Sequence, residues 1–403
     1  MKKVFQSTIM TVGLAIFSMF FGAGNLIYPI QAGLNSGDKF YYGITGYMLT
    51  AVLLPLIGLI AMILFNGDYR EFFGRLGKIP GFLSVLFCMC VIGPCIAMSR
   101  IVTLSYEMLY PFIGSFSAGN ITCPITLPTF SVIFCILTFL ATYKESSIIS
   151  LLGKWISPLL LGSLAIIIIK GIMHPQSFLP VPFSASEVFY EQIIFGYGSL
   201  DLLGALFFAS AILTILKKTI SDEKDYNLRT LAITGMKAGM IGCTLLGVIY
   251  YGLSLLGAYY GPLFSGITNS AALFSQVSFA VMGQHGALII AIAVAMACYS
   301  TIIALAMVLA EYIHKQLSFG FIQYHTSLVM VLAGTAFISC YGLATIMHVS
   351  GPIINICYPV LIVITLANIA YKMFNFTPIK IPALITLLVS IYYNSVNVQA
   401  LFN

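Results

Sequence analysis

Residues 8 to 30 form an apolar stretch long enough to cross a bilayer, and comparable stretches recur to the end of the chain. A hydrocarbon core about 30 Å thick takes about 20 mainly apolar residues per helix. At that window the sequence predicts spans at about 8–30, 41–65, 82–112, 126–143, 147–172, 188–216, 229–257, 285–312, 322–343, 348–371 and 380–400. Charged residues make up only 7% of 403 positions, against roughly 25% in soluble domains. Little chain remains for a water-facing unit. The expectation is an all-α polytopic membrane protein of about eleven transmembrane helices, one membrane domain over residues 1–403.

Cations set the expected topology. With the N-terminus cytoplasmic, fifteen of the eighteen Lys and Arg residues fall at inner ends or loops, from Lys2 and Lys3 through Arg70, Arg75 and Lys217 to Lys372 and Lys380. Lys39 and Lys170 fall outside, and Arg100 lies within a span. This is the positive-inside pattern. The net charge of +6 therefore reflects topology and implies no nucleic-acid partner. The opening MKK and its apolar run imitate a secretory leader, but the run continues past Gly24 to Ile30 without a clear small-residue cleavage site, so it reads as the first span. Of nine cysteines only Cys123 falls in a predicted outer loop, and the rest read as small buried hydrophobes.

Chemistry in such a chain has to come from polar groups inside the spans, which are costly in lipid. Span 1 contains FFGAGNLIYP, residues 20–29, where Gly22-Ala23-Gly24-Asn25 would mark a turn in water. In lipid, backbone groups freed by a break must be satisfied within protein or in a wet cavity. Span 6 carries FGYGSLDLLGAL, with Gly196, Tyr197, Gly198, Ser199 and Asp201. Span 3 carries IGPCIAMSR followed by SYE, span 8 MACYST and span 10 SGPIINICYP. Spans 1 and 6 each open a block of five spans, and an odd block forces the second copy to enter from the opposite side. Broken helices at matching positions of an inverted repeat point to a binding site near the membrane centre. Amides of the half-helix after Gly24 would face an anionic group, and freed carbonyls of the preceding half a cation. The alternative is a pair of kinks that serve helix packing.

These motifs, in this order from about residue 10 to 370, resemble the bacterial branched-chain amino acid:cation symporters of the BrnQ type. The resemblance implies a LeuT-like fold of two inverted five-helix repeats, here about 8–172 and 188–371, with an extra C-terminal helix at about 380–400. The family usually has twelve spans where this chain shows about eleven, which bears on oligomer contacts more than on transport. The resemblance also implies a sodium ion as coupling ion, between spans 1 and 8. Hydroxyls of Ser300 and Thr301 and carbonyls of Ala297, Ser18 and Phe21 would supply neutral oxygens, as hard cations require. The competing reading of both hydroxyls is a bond to their own helix backbone.

The substrate pocket is expected to combine the breaks, Gly22, Ala23, Gly24, Asn25, Gly196, Tyr197, Gly198 and Ser199, with an apolar wall including Ile96, Leu202 and Ile302. Backbone would hold a zwitterion and the wall an aliphatic side chain, which favours leucine, isoleucine or valine. Arg100, Glu107 and Asp201 form a feasible charge network, with roles in pairing or gating, in direct substrate contact, or at the solvated surface. No histidine lies deep in a span, so a nucleophile with a base in reach is not expected, and the chain does not read as an enzyme. A channel would favour a continuous polar stripe, whereas polar groups here gather at the breaks. The expectation is sodium-coupled import of branched-chain amino acids across a bacterial cytoplasmic membrane. A proton-coupled or broader neutral amino acid carrier, and a non-transporting membrane receptor, are the alternatives.

Overall fold

The computed structural model describes residues 2–22, 24–113, 116–118, 121–123, 125–143, 147–220, 228–264, 266–267 and 269–399. In chain order, α1 (Lys2–Phe20) and α2 (Gly24–Ser36) make the first span, and α3 (Phe40–Met48) and α4 (Leu54–Leu64), joined by a π-turn over Leu49–Leu53, make the second. A short α5 (Tyr69–Gly74) precedes α6 (Lys78–Ile92) and α7 (Ala97–Ile113). A hairpin of β1 (Phe116–Ala118) and β2 (Ile121–Cys123) then leads to α8 (Leu127–Tyr143) and α9 (Ser147–Met173). The second half runs through α10 (Ala185–Phe195), α11 (Asp201–Ile220), α12 (Leu228–Tyr260), α13 (Ser270–Tyr312), α14 (Tyr324–Ser339), α15 (Leu343–Phe374) and α16 (Lys380–Gln399). The all-helical polytopic architecture expected from apolar spacing is the one observed, with stretches such as Lys78–Ile113 and Leu343–Phe374 long and apolar enough to cross a membrane.

Three departures from the sequence reading have local causes. Span 3, expected as one helix over 82–112, is interrupted between α6 and α7, where Pro94 has no N–H to continue the ladder and Gly93 leaves helical geometry at ψ −144°. Span 8, expected from 285, is the second part of a helix that begins at Ser270. Asn269 caps that start by accepting from the Ala271 N–H at 3.0 Å, and Gly283, at φ 72°, bends it before the membrane part. Span 6 starts slightly earlier than expected, at Ala185, because Ser184 and Glu187 form a capping box.

The helices pack in two groups. The broken first span lies along α12 while the second span lies along α10 and α11. The other group joins α7, α8, α13 and α14, with α9 packed on α13 and α15 on α7. Exchange of each span for its counterpart five positions on leaves this set of contacts unchanged, as two copies of one packing scheme require. Both breaks face the centre between the groups.

Candidate functional site

The first break is built by Asn25. Its carboxamide oxygen accepts from the Gly22 N–H at 3.1 Å, while its own N–H donates to the Gly22 carbonyl at 3.2 Å, so side chain and backbone together close the turn that helix bonds would otherwise occupy. Pro29, one turn on, has no N–H to offer the Asn25 carbonyl. The second break is a 3-10 turn over Gly196–Ser199 followed by Leu200 in the left-handed region at φ 63°. The helix restarts at Asp201, a carboxylate in the first turn where the helix dipole favours negative charge. The Leu202 N–H of that turn donates to the Tyr358 hydroxyl at 3.0 Å.

The two breaks touch. A Cβ on Gly24 would lie 3.1 Å from the Ser199 carbonyl oxygen, so the absence of a side chain lets one backbone turn approach the other. The Asn25 amide donates to Asp201 Oδ1 at 2.7 Å and to the Tyr250 hydroxyl, and Tyr250 in turn donates to Asp201 Oδ2 at 2.7 Å. All three side chains are buried. Arg100, buried on α7, donates from Nη1 to the Gly198 carbonyl at 2.8 Å and from Nη2 to Ser350 Oγ at 2.6 Å, with its guanidinium 5.4 Å from the Tyr28 ring centre.

A cavity of about 80 Å³ lies against this cluster. Gly22, Gly24, Asn25, Arg100, Ser199, Asp201 and Thr301 form its polar border, and Ile92, Ile101, Phe207 and Leu305 contribute to its apolar wall. A second cavity, about 340 Å³, is lined by Tyr28, Gly198, Gln192 and Asn355 among others. The two linings share no residue, but Arg100 of the first donates to the carbonyl of Gly198, which lines the second.

Several expected site residues lie away from the central cavity. Ile96, Leu202 and Ile302 do not line the central cavity. Ile96 faces a separate groove beside Cys95 and Val349, Leu202 reaches to 2.6 Å from the Cβ position of Gly58 on α4, and Ile302 is fully buried. For Ile96 and Leu202 the cause is helical phase: the turn after Gly93 and the left-handed Leu200 each interrupt the helix that an unbroken span would continue. Gly196 packs against Thr50 and Tyr47 of the second span, and Tyr197 stacks on Tyr358 with ring centres 4.9 Å apart, so neither borders the central cavity. Gly198 borders the second one. Ala23 lies outside the described residues.

The expected three-member charge network is also divided. Glu107 accepts from the Asn269 amide at 2.9 Å, away from Arg100 and Asp201, which themselves form no ion pair with each other. Of the oxygens expected around sodium, Ser300 Oγ and Thr301 Oγ1 both donate to the Ala297 carbonyl, at 2.8 and 3.0 Å, which is the back-bonded arrangement. Span 8 nevertheless meets the first break: Thr301 Cγ2 is 3.8 Å from where a Cβ on Gly22 would be. Ser18 and Phe21 sit at the end of the preceding half-helix, where the Phe21 N–H still donates to the Phe17 carbonyl at 2.8 Å. Sequence reasoning missed Tyr250 and Tyr28. The available signal was tyrosines inside apolar spans, since a buried phenol needs a partner for its hydroxyl.

Two touching helix breaks with a buried polar cluster between them, beside a cavity, are the parts of a helical membrane carrier. The fold is shared with solved transporters of the LeuT-like architecture. One is Mhp1 in its inward-facing conformation, with a TM-score of 0.62 at 12% identity over 90% of this chain and 77% of that one. Another is the Eremococcus coleocola manganese transporter, with a TM-score of 0.61 at 15% identity over 100% and 88%. The family described as branched-chain amino acid transport protein matches residues 5–402, and the chain belongs to that family. It is 30% identical over 395 residues to the branched-chain amino acid permease BrnQ of Haemophilus influenzae, covering 96% of this chain and 87% of that protein. It is 28% identical over 379 residues to the BrnQ permease of Bacillus subtilis, covering 93% and 83%. The protein is thus a branched-chain amino acid carrier and not an enzyme.

Proposed function

We propose that the chain imports leucine, isoleucine and valine by symport with sodium, in a bacterial cytoplasmic membrane with its N-terminus in the cytoplasm. The observation that carries this reading is the pair of touching breaks beside an apolar wall. Repeats of about 8–172 and 188–371 would then rock against each other around the site, which the exchangeable packing of the two halves supports. The central cavity, about 80 Å³, is smaller than the 150 Å³ void that holds a benzene-sized ligand, so leucine enters as the walls part. Because one methylene is worth only about 1–3 kcal/mol in an apolar pocket, discrimination among the three substrates is weak. In competition against labelled leucine uptake, isoleucine and valine compete and lysine and glutamate do not. Competition by a charged amino acid with none from isoleucine or valine would refute the substrate class.

For the coupling ion, Ala297, Ser300 and Thr301 gather three oxygens on one turn of α13 next to the first break. Rotation of the two hydroxyls away from the shared carbonyl frees all three for a cation, a neutral shell suited to a monovalent ion that has to leave again. Ser300→Ala with Thr301→Ala raises the sodium concentration for half-maximal uptake about tenfold or more while changing leucine selectivity little, as measured in proteoliposomes across a sodium series. The second reading, proton coupling, draws on the buried Asp201 carboxylate. Wild-type uptake driven by a pH gradient and indifferent to sodium would establish it in place of the sodium site.

A further inference from the structure

Two opposite charges border the central cavity without meeting. Arg100 is 3% exposed and Asp201 4%, and both line the cavity. No N···O contact within 4.0 Å joins them, nor does either form an ion pair with another side chain among the described residues. Each is held by neutral groups instead, Arg100 by a carbonyl and a hydroxyl, Asp201 by the amide of Asn25, the phenol of Tyr250 and the hydroxyl of Ser199. The Nε of Arg100 is buried and has no partner at all. Charges removed from water are costly unless a counter-charge and further hydrogen bonds compensate them. Neutral partners, and for Asp201 the helix dipole, orient these two groups but give neither a counter-ion.

We infer that Arg100 and Asp201 are the two poles of a receptor for the α-amino acid zwitterion, which takes the substrate carboxylate on the guanidinium and the substrate ammonium on the Asp201 carboxylate. This deepens the proposed function and rests on it. An α-amino acid carries its charges on a single carbon centre, one of each sign, and compensates both poles at once with no change in net charge. The guanidinium suits a carboxylate because its donors lie in a planar fork. Asn25 and Tyr250 are positioning residues: each occupies one oxygen of Asp201 and so fixes the plane of the carboxylate. With both poles engaged by the zwitterion, the substrate side chain meets Ile92, Ile101, Phe207 and Leu305, where a further charge finds no partner. Arg100 also bonds to Gly198, which lines the second cavity, and to Ser350. Substrate arrival therefore acts on the contact that joins α7 to α15 and to the second break.

The test is displacement of labelled leucine from the purified full-length protein by 4-methylpentanoate, which lacks the ammonium, and by 3-methylbutylamine, which lacks the carboxylate. A site built for a polar group rejects an analogue without it far more strongly than one methylene is discriminated. Both compounds bind wild type about 100-fold or more weakly than leucine. In Asp201→Asn the leucine preference over 4-methylpentanoate collapses to about tenfold or less, and in Arg100→Gln the same happens to the preference over 3-methylbutylamine. If a neutral variant binds too weakly to measure, the charge-retaining Asp201→Glu and Arg100→Lys decide: leucine binding within about tenfold of wild type supports the poles, and a loss as large as that of the neutral variants overturns them. Wild-type acceptance of either analogue within tenfold of leucine overturns the inference, as does an Asp201→Asn variant that keeps the analogue ratio and alters only the sodium or pH dependence. Absence of leucine binding by wild type, at every sodium concentration and pH tried, refutes the transport reading itself and is distinguishable from failure of the poles.

Discussion

Asn25→Ala should reduce leucine uptake about 100-fold or more while the protein still reaches the membrane. The carboxamide joins the two breaks directly: it accepts from Gly22 and donates to Asp201 and Tyr250. Its removal takes a partner from the Gly22 N–H, from Asp201 and from Tyr250, and a buried polar group that loses its partner costs about 1–3 kcal/mol. About 2–6 kcal/mol withdrawn from the geometry of a site is about one and a half to four powers of ten in rate when the transition state for transport needs that geometry. The measurement is initial uptake in proteoliposomes, normalised to the protein incorporated, with the thermal midpoint recorded beside it. Uptake within threefold of wild type would mean that the junction of the breaks is incidental to transport.

Gly33→Val should prevent assembly of the protein altogether. A Cβ at Gly33 would lie 1.7 Å from the Ser254 carbonyl oxygen, and one at Gly257 1.9 Å from that of Ile30. The obstacles are backbone atoms of α2 and α12, so no rotamer change relieves the clash and the helices have to separate. Association in lipid depends on this close packing of small residues, since helix faces gain little from burial when the solvent is itself apolar. A substitution of this kind belongs with the rare ones that exceed about 4 kcal/mol. Separation also draws Asn25 on α2 away from Tyr250 on α12, so the site is lost with the interface. Gly162→Val is the control, because nothing lies within 4 Å of its Cβ position. The readout is the yield of monodisperse protein after extraction and its thermal midpoint. A Gly33→Val protein as abundant and as stable as the Gly162→Val control would disprove the backbone contact.

Apolar spacing, cation placement and the two Gly-rich interruptions were sufficient to anticipate a helical membrane protein with a site at matching helix breaks. Each of these is a local property: a bilayer demands about 20 apolar residues per helix, and a break in lipid has to be satisfied somewhere. Which side chains face the site was not local. The interruption after Gly93 was visible as Gly93-Pro94, but its angle was not, so the wall expected from Ile96 is supplied by Ile92 and Ile101. Leu200 adopts a left-handed conformation that leucine does not advertise, and it turns Leu202 towards Gly58 while it brings Asp201 to Asn25 and Tyr250. Arg100, Glu107 and Asp201 could be named as buried or near-buried charges from their positions in apolar spans. Their division into a contact with Gly198 and Ser350, a helix-end contact with Asn269 and a junction with Tyr250 depends on residues up to 250 positions away in the chain. Periodicity along one helix carries the hydrophobic face of that helix. The pairing of faces, and with it the chemistry between them, exists only once the two halves have packed.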